Sequence, residues 1–456
     1  MAHHLGQHAI VIGGSMAGLM TARVLADYFA RVTILERDHI DSRPAVHKSI
    51  PQGNHIHLLL LGGQHVLASL YPGFTDTLQQ RGAVRFGLGK DVAFYFPDGK
   101  AYWFTGSVRE PRDFGLDVHS QSRGLLEHCV RHLTLARANV SSKDGCTVQR
   151  LLSDKERVCG VHYTYPGGTG SLTADLVVDA GGRGSHVPRW LTELGFQTPE
   201  ESTIRVDFAY ASTKFRIPDY YNEPERTLFF GSPAPRCLRY AGMEEIEDRT
   251  WHLSLIGRCG EYPPTDEDGF FAFARSLHTP QLYTLIKDAE RVSDIVQHRF
   301  PASVRRHYER LTTFPDGLLV LGDAICSFNP VYGQGMAAAA LQVKALQQVL
   351  TEHVAQTQGI EGLAFSFFPR AAEVIMTPWT LAAIFDFSYP QTRGTRPPDL
   401  KESARYVQAV DALTTKDEQA HRLMLEVFQL TKPLAALQEE PLRSRVLPRQ
   451  RRPVAA

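Results

Sequence analysis

Cysteine is scarce: six in 456 residues, at positions 129, 146, 159, 237, 259 and 326, and none in a Cys-x-x-Cys pair. That excludes a disulfide-built scaffold and a paired-cysteine metal centre. Net charge is missing as well, with 49 Lys plus Arg against 49 Asp plus Glu, so no whole-protein attraction to nucleic acid is expected. No run approaches the roughly 18–20 apolar residues of a membrane-spanning helix. The apolar stretch 9–20 has no basic lead and is interrupted by Gly13, Gly14 and Ser15, so it reads as fold rather than export signal. A Walker A loop and a Ser-His-Asp order are both absent, which removes support for phosphoryl transfer and covalent hydrolysis. Internal repeats and low-complexity tracts are lacking too. A cytoplasmic location with reduced thiols is the expectation.

What is present is a folded-globule composition, 43% apolar and 21% charged, in a chain long enough for two or three structural units. Ala9-Ile-Val-Ile12 is a short apolar run suited to a strand covered on both faces. Gly13-Gly-Ser-Met-Ala-Gly18 is a turn, and 19–29 carries apolar residues at helical spacing. Arg31-Val-Thr-Ile-Leu-Glu36 reads as a second strand ending in an acid, and Arg37 follows. Strand, glycine turn, helix, strand, acid is a dinucleotide-binding βαβ unit. Glycines admit positive φ and let backbone approach a pyrophosphate, which the helix N-terminus then favours electrostatically. Ser15 stands where the strict G-x-G-x-x-G pattern has its second glycine.

Further along, the segment 82–115 alternates aromatics with turns and predicts antiparallel strands around Pro97-Asp98-Gly99. A helix is predicted over 122–133. Strands are predicted over 147–165 and 172–179, separated by a Gly167-Gly-Thr-Gly170 turn, and the region 205–258 is β-rich. From Leu363 the chain is largely helical and ends in a basic segment containing Arg445, Arg449, Arg451 and Arg452.

A second motif selects the cofactor. Leu318-Leu-Val-Leu-Gly-Asp-Ala324 is an apolar strand ending in Gly-Asp, followed by Asn329-Pro-Val-Tyr-Gly-Gln-Gly-Met336 and an Ala-rich helix. A carboxylate at a strand's end can bind a ribityl hydroxyl. A Gly-Gln-Gly backbone opening a helix offers N–H groups to a ring oxygen that becomes negative on reduction, which suits a flavin better than a nicotinamide.

Together the two motifs resemble the FAD-dependent monooxygenases of the para-hydroxybenzoate hydroxylase fold. Ser122-Arg123 opening a helix and Asp175-Leu-Val-Val-Asp-Ala-Gly-Gly-Arg-Gly-Ser185 match further landmarks. Pro51-Gln-Gly-Asn-His-Ile-His57, Tyr71-Pro-Gly73 and Trp379 followed by Asp386-Phe-Ser-Tyr-Pro390 look like a bacterial branch containing polyether-type epoxidases related to squalene epoxidase. The resemblance implies an α/β fold: a Rossmann-like FAD-binding domain with an inserted β-rich substrate domain and a C-terminal helical region. Its expected parts are FAD-binding pieces at 1–85, 116–195 and 305–375, substrate-domain pieces at 86–115 and 196–304, and a helical region with basic tail at 376–456.

The resemblance also implies roles. Gly13, Gly14, Ser15, Ala17, Gly18, Glu36 and Arg37 would hold the ADP part of FAD, and Arg123 would lie by the pyrophosphate or flavin edge. Asp323 would take ribityl or diphosphate oxygens, and Pro330, Gly333, Gln334, Gly335 and Met336 would face the isoalloxazine. Gln52, His55 and His57 would border the flavin, with no metal site implied. Where relatives read Ala-Asp-Gly, Ala180 is followed by Gly181 and Gly182, a departure from the pattern that accompanies NADPH handling.

The implied activity is insertion of one oxygen from O₂, as epoxidation or hydroxylation through a flavin C4a-hydroperoxide, into an apolar secondary metabolite such as a polyketide or terpenoid. NADPH, NADH or a separate flavin reductase would supply electrons. The alternative from the same motifs is an FAD-dependent reductase or dehydrogenase of a prenyl or polyketide substrate. Halogenases of similar fold carry Trp-x-Trp-x-Ile-Pro, whereas Trp103, Trp190, Trp251 and Trp379 are never two apart. Leu423, Leu425, Val427, Phe428 and Leu430 beside the basic tail raise the expectation of membrane-surface contact.

Overall fold

An apolar run without polar alternation must be covered on both sides, and Ala9, Ile10 and Val11 are wholly buried. In the computed structural model, which describes residues 5–47, 51–155, 157–217, 223–231, 237–356 and 359–446, they form the central strand Gly6–Ile12 of a five-stranded parallel sheet. The strand order is Leu318–Val320, Leu176–Asp179, Gly6–Ile12, Phe29–Leu35, Val140–Lys143. Register aligns Ile12 with both Asp179 and Leu35, and Asp179 with Val320. Gly13, Glu36, Ala180 and Gly322 therefore emerge near one edge, the carboxyl end where open parallel sheets bind ligands. The helices Met16–Leu25 and Gln334–Ala355 pack together beside this edge, and Arg123–Leu135 packs on the first of them.

A second, ten-stranded sheet runs Cys326–Ser327, Val296–Arg306, Glu201–Arg216, Thr250–Arg258, Arg239–Ile246, Thr227–Phe230, Val92–Phe96, Gly99–Ala101, with two short strands joined to Glu201–Arg216. The Pro97-Asp98 turn brings Phe96 opposite Gly99, as the turn residues predict. One face buries Ala211, Phe215, Leu228, Phe230, Leu253 and Leu255 under the helices Glu267–Arg275 and Gln281–Ile286. Alternation sends Phe208 and Tyr210 to the opposite face, into the core shared with the parallel sheet. The helices Leu363–Asp386, Leu400–Thr414 and Glu418–Phe428 complete the chain's α/β architecture.

Three sequence expectations are corrected. The first helix stops at Leu25, because Phe29, fully buried, pairs opposite Gly6 and opens the second strand. The strand expected over 147–165 breaks after Asp154, where Lys155 takes a φ of +54°. The expected Gly167–Gly170 turn is shorter: Gly168–Thr173 is a strand, and Gly170 lies where a Cβ would meet the Tyr163 ring at 2.8 Å.

Among the described residues no helix is long and apolar enough to cross a membrane. Leu425, Val427 and Leu430 are buried and Leu423 and Phe428 pack on the core, so this stretch spends its apolar face inside the protein rather than on a membrane. Arg449, Arg451 and Arg452 lie outside the described residues, while Arg445 pairs with Asp417.

Candidate cofactor and active site

The glycine turn closes too tightly for side chains. A Cβ on Gly18 would stand 1.9 Å from the Gly13 carbonyl oxygen, and Gly13, at φ +95°, would put one 2.7 Å from the Ala180 oxygen. The Gly14 N–H donates to Glu36 Oε2 at 2.6 Å, and Asp38 N–H donates to Glu36 Oε1 at 2.9 Å. The acid at the second strand's end thus locks the turn. Ser15 is the N-cap residue of Met16–Leu25, yet its hydroxyl makes no cap. It donates instead to Glu127 Oε2 at 2.8 Å and accepts from Arg123 at 2.8 Å.

Glu127 is the centre of a group that sequence reading missed. Arg123, Glu127 and Arg131 follow one another at i, i+4 spacing on the helix Arg123–Leu135, whose N-cap Ser122 accepts from Leu125 N–H. The buried Glu127 carboxylate takes Arg123 at 2.7 Å, Arg131 at 2.9 Å and His47 at 2.7 Å. Burial alone would raise this carboxyl, but Arg123, His47 and Arg131 hold it at about 2. Arg131 also donates to the Gly14 carbonyl. One guanidinium nitrogen of Arg123 and one of Arg131, both Nη1, are buried without a partner. Alternating charges four residues apart were the signal available in the sequence. Beside this group opens a cavity of about 340 Å³, lined by Arg37, Asp38, His39, Arg43, His47 and Arg131 among others.

The second motif meets the first. Gly322, at φ +70°, stands where a Cβ would reach Ala17 Cβ at 2.9 Å. Asp323 follows, and no group among the described residues donates a hydrogen bond to it. Burial pushes its carboxyl up to about 6 against the pull of Arg183 and Arg123. Gly333, at φ +65°, is the N-cap residue of Gln334–Ala355, so the first N–H groups of a 22-residue helix point to the same region. Gln334 is buried with Oε1 unpartnered. Asp179 is turned inward: it accepts from Gly181 N–H at 2.9 Å and from the Ser185 hydroxyl. Arg183 donates to the Ala302 carbonyl and to Ser327 Oγ and stacks on Phe300.

The segment carrying Gln52, His55 and His57 lies between these motifs and the large sheet. A Cβ on Gly53 would come 3.5 Å from Arg123 Cγ, and one on Gly333 would come 3.5 Å from the Leu58 carbonyl. His55 Nδ1 bonds Ser212 Oγ at 2.6 Å and its ring meets Tyr210 edge-on at 4.1 Å. Burial, helped by His252, His57 and His298, pushes His55 down to about 2. Burial and Arg123 take His57 down to about 4, and burial and Lys214 take His252 down to about 3. All three rings are therefore neutral at pH 7. Burial raises the neighbouring Glu244 carboxyl to about 8, so it is predominantly neutral as well. No three His, Cys, Asp or Glu side chains among the described residues gather as a metal ion would require.

Half-buried aromatics continue from this region. Tyr332 packs near Phe385, Phe385 near Phe104 and Phe428, and Phe94 stacks on Phe229 at 5.0 Å. Tyr240 and Tyr332 retain partial exposure although burial pushes both phenols well up.

A cradle without room for Cβ atoms, unpartnered buried guanidinium nitrogens, and a carboxylate without donors beside an open helix N-terminus together fit a dinucleotide cofactor. Comparison with known proteins decides which kind. No family model matches the chain. Protein Rv3254 of Mycobacterium tuberculosis is 33% identical over 394 residues, 84% of this chain and 80% of its own. Squalene epoxidase 2, mitochondrial, of Arabidopsis thaliana is 23% identical over 83% of this chain and 60% of its own length. Kynurenine 3-monooxygenase of Salinispora arenicola is 24% identical over 76% of this chain and 73% of its own. The chain belongs to the FAD-dependent monooxygenases of the para-hydroxybenzoate hydroxylase fold. Solved structures agree on the fold. Flavin-dependent brominase Bmp2 superposes with a TM-score of 0.66 at 14% identity over 93% of this chain and 94% of its own. The p-nitrophenol 4-monooxygenase PnpA from Pseudomonas putida DLL-E4 does so with 0.63 at 17% over 95% and 99%. FAD is thus the cofactor of this oxidoreductase.

Proposed function

We propose that this monooxygenase inserts one oxygen atom of O₂, by epoxidation or hydroxylation, into an apolar secondary metabolite of polyketide or terpenoid type. The observation that carries the reading is the packing of Gly322 on Ala17, which draws Asp323 and the Gly333 turn toward the glycine cradle. Gly13, Gly14, Ser15, Ala17, Gly18, Glu36 and Arg37 hold the ADP part of FAD. Arg123 offers its free Nη1 toward the diphosphate, and Asp323 accepts from ribityl hydroxyls. Pro330, Gly333, Gln334, Gly335 and Met336 face the isoalloxazine, whose outer border is the segment with Gln52, His55 and His57.

Once reduced, the flavin supplies the activation of O₂ and the transfer of oxygen, and the chain's own side chains do the rest. The helix N-terminus at Gly333–Gly335 offers N–H groups to charge on the ring. Neutral His55, His57 and His252 and the aromatics Phe94, Phe229, Phe104 and Phe385 give a lining that excludes water and orients an apolar acceptor. Epoxidation demands no side-chain base, and none of these groups is assigned as one. Similarity to squalene epoxidases supports an apolar acceptor. NADPH, NADH or a separate flavin reductase is the source of electrons.

The test is mass spectrometry of products from a polyene and polyketide panel under ¹⁸O₂, with each reductant in turn. One ¹⁸O atom per product supports the reading. Anaerobic saturation or desaturation of the substrate without oxygen incorporation identifies a reductase or dehydrogenase instead.

A further inference from the structure

The stretch from Asp386 to Pro390, at the end of the helix Leu363–Asp386, has no part in the cofactor contacts above, yet it is tied to them. Asp386 is wholly buried. One of its oxygens, Oδ1, accepts from three side chains at once: Asn329 Nδ2 at 2.9 Å, Tyr332 Oη at 2.8 Å and Arg258 Nη2 at 3.1 Å. Asn329 and Tyr332 flank Pro330 and Val331 in the turn that leads to Gly333, and Asn329 Oδ1 in turn accepts from Val331 N–H at 3.2 Å. Arg258 ends the strand Thr250–Arg258 of the large sheet and is 2% exposed. Tyr389 covers its guanidinium at 4.4 Å, and Phe208 lies 5.4 Å away on the sheet. Arg258 Nη1 and Asp386 Oδ2 are both buried without partners.

A buried ion pair is seldom retained for stability, since desolvating both charges offsets most of their attraction. Here the pair fixes two side chains of one turn, and in a medium of low polarity an uncompensated charge acts over several ångströms. We infer that Asp386, held by Arg258, is a positioning residue that sets the Asn329–Gly335 turn and the electrostatic potential at the flavin ring bound against it. This rests on the proposal that the turn faces the isoalloxazine.

The two charges act in opposite senses on the ring. Reduction places negative charge near N1 and the C2 oxygen, so an uncompensated cation nearby favours the reduced form and an uncompensated anion opposes it. Asp386→Asn leaves Arg258 uncompensated and should move the midpoint potential of bound FAD upward. Arg258→Met leaves Asp386 uncompensated and should move it downward at a pH high enough to keep that carboxyl ionised, which burial opposes. The double variant should return toward the wild-type value, and Asp386→Glu, which keeps the charge, should stay nearer that value than Asp386→Asn. A role confined to folding would give no such opposed pair of signs.

The experiment is spectroelectrochemical titration of the purified holoprotein and these variants. Shifts of one sign in both single variants, or no shift with FAD still bound, overturn the inference. Should the charge variants not fold, Tyr332→Phe removes one hydrogen bond without altering charge. It should change the visible circular dichroism of bound FAD, and an unchanged band then overturns the inference. A wild-type protein that stays colourless with excess FAD defeats the cofactor placement itself, which is a different failure.

Discussion

At the scale of single residues, the site is built from charges that the fold holds away from water. Asp323 is the clearest case, because its carboxylate lies beside Gly335 at the start of a helix with no donor of its own. Asp323→Ala should leave a ribityl hydroxyl unpaired, at a cost of about 1–3 kcal/mol in binding. The protein should purify with most of its flavin absorbance lost, and full retention of the yellow cofactor would contradict the assignment. Glu244 gives a pH signature. Its carboxyl is raised from 4.5 to about 8, so the stability it contributes is complete below pH 4.5 and lost as pH rises through about 8. Glu244→Gln lacks this slope, so its melting temperature should exceed that of the wild type by an amount that grows from pH 4.5 to 8. His55, His57 and His252 have depressed values and lose stability as pH falls below about 6.5. Their contribution is present in both proteins and cancels in the difference.

Elements add what residues cannot, namely contact between stretches far apart in the chain. The approach of Gly322 to Ala17 leaves no space for one methyl group, and φ at Gly322 is +70°. Gly322→Ala should therefore cost roughly 2–4 kcal/mol from overpacking and left-handed strain together. Urea unfolding measures this, and a loss below about 1 kcal/mol would show that the two elements do not bear on each other as described. Adding Ala17→Gly should recover only the steric share. At this scale the sequence was legible unevenly. The strand through Ala9–Ile12, the glycine turn, the helix opened by Ser122-Arg123 and the helix after Gly333 followed from local pattern. The Arg123–Glu127–Arg131 series was not recognised, because a helix with an apolar stripe reads as core packing, and only the glycine turn beneath it turns those charges into a cluster.

For the whole molecule, the cofactor is expected to act as a staple. Contacts proposed for it come from 13–37, 123 and 323–336, pieces carried on separate strands and helices. A ligand that binds only the folded state at a hundred times its Kd adds about 2.7 kcal/mol. FAD should raise the melting temperature by several degrees, and FMN, which lacks the adenylate, should raise it less. Equal shifts would argue against the adenylate cradle at Gly13–Glu36.

Local pattern was enough to place the pieces: which runs are strands covered on both sides, where glycine is obligatory, and that two flavin-type motifs share one chain. These are legible because backbone geometry and side-chain periodicity act over a few residues. Tertiary structure alone decided that Ser15 is spent on Glu127 and Arg123 rather than free to donate outward, that the apolar stretch near 423–430 faces the core, and that Asp386 reaches back to the Asn329–Tyr332 turn. Those outcomes depend on which distant groups compete for each buried donor and acceptor, and on the burial that makes each unpaired charge expensive.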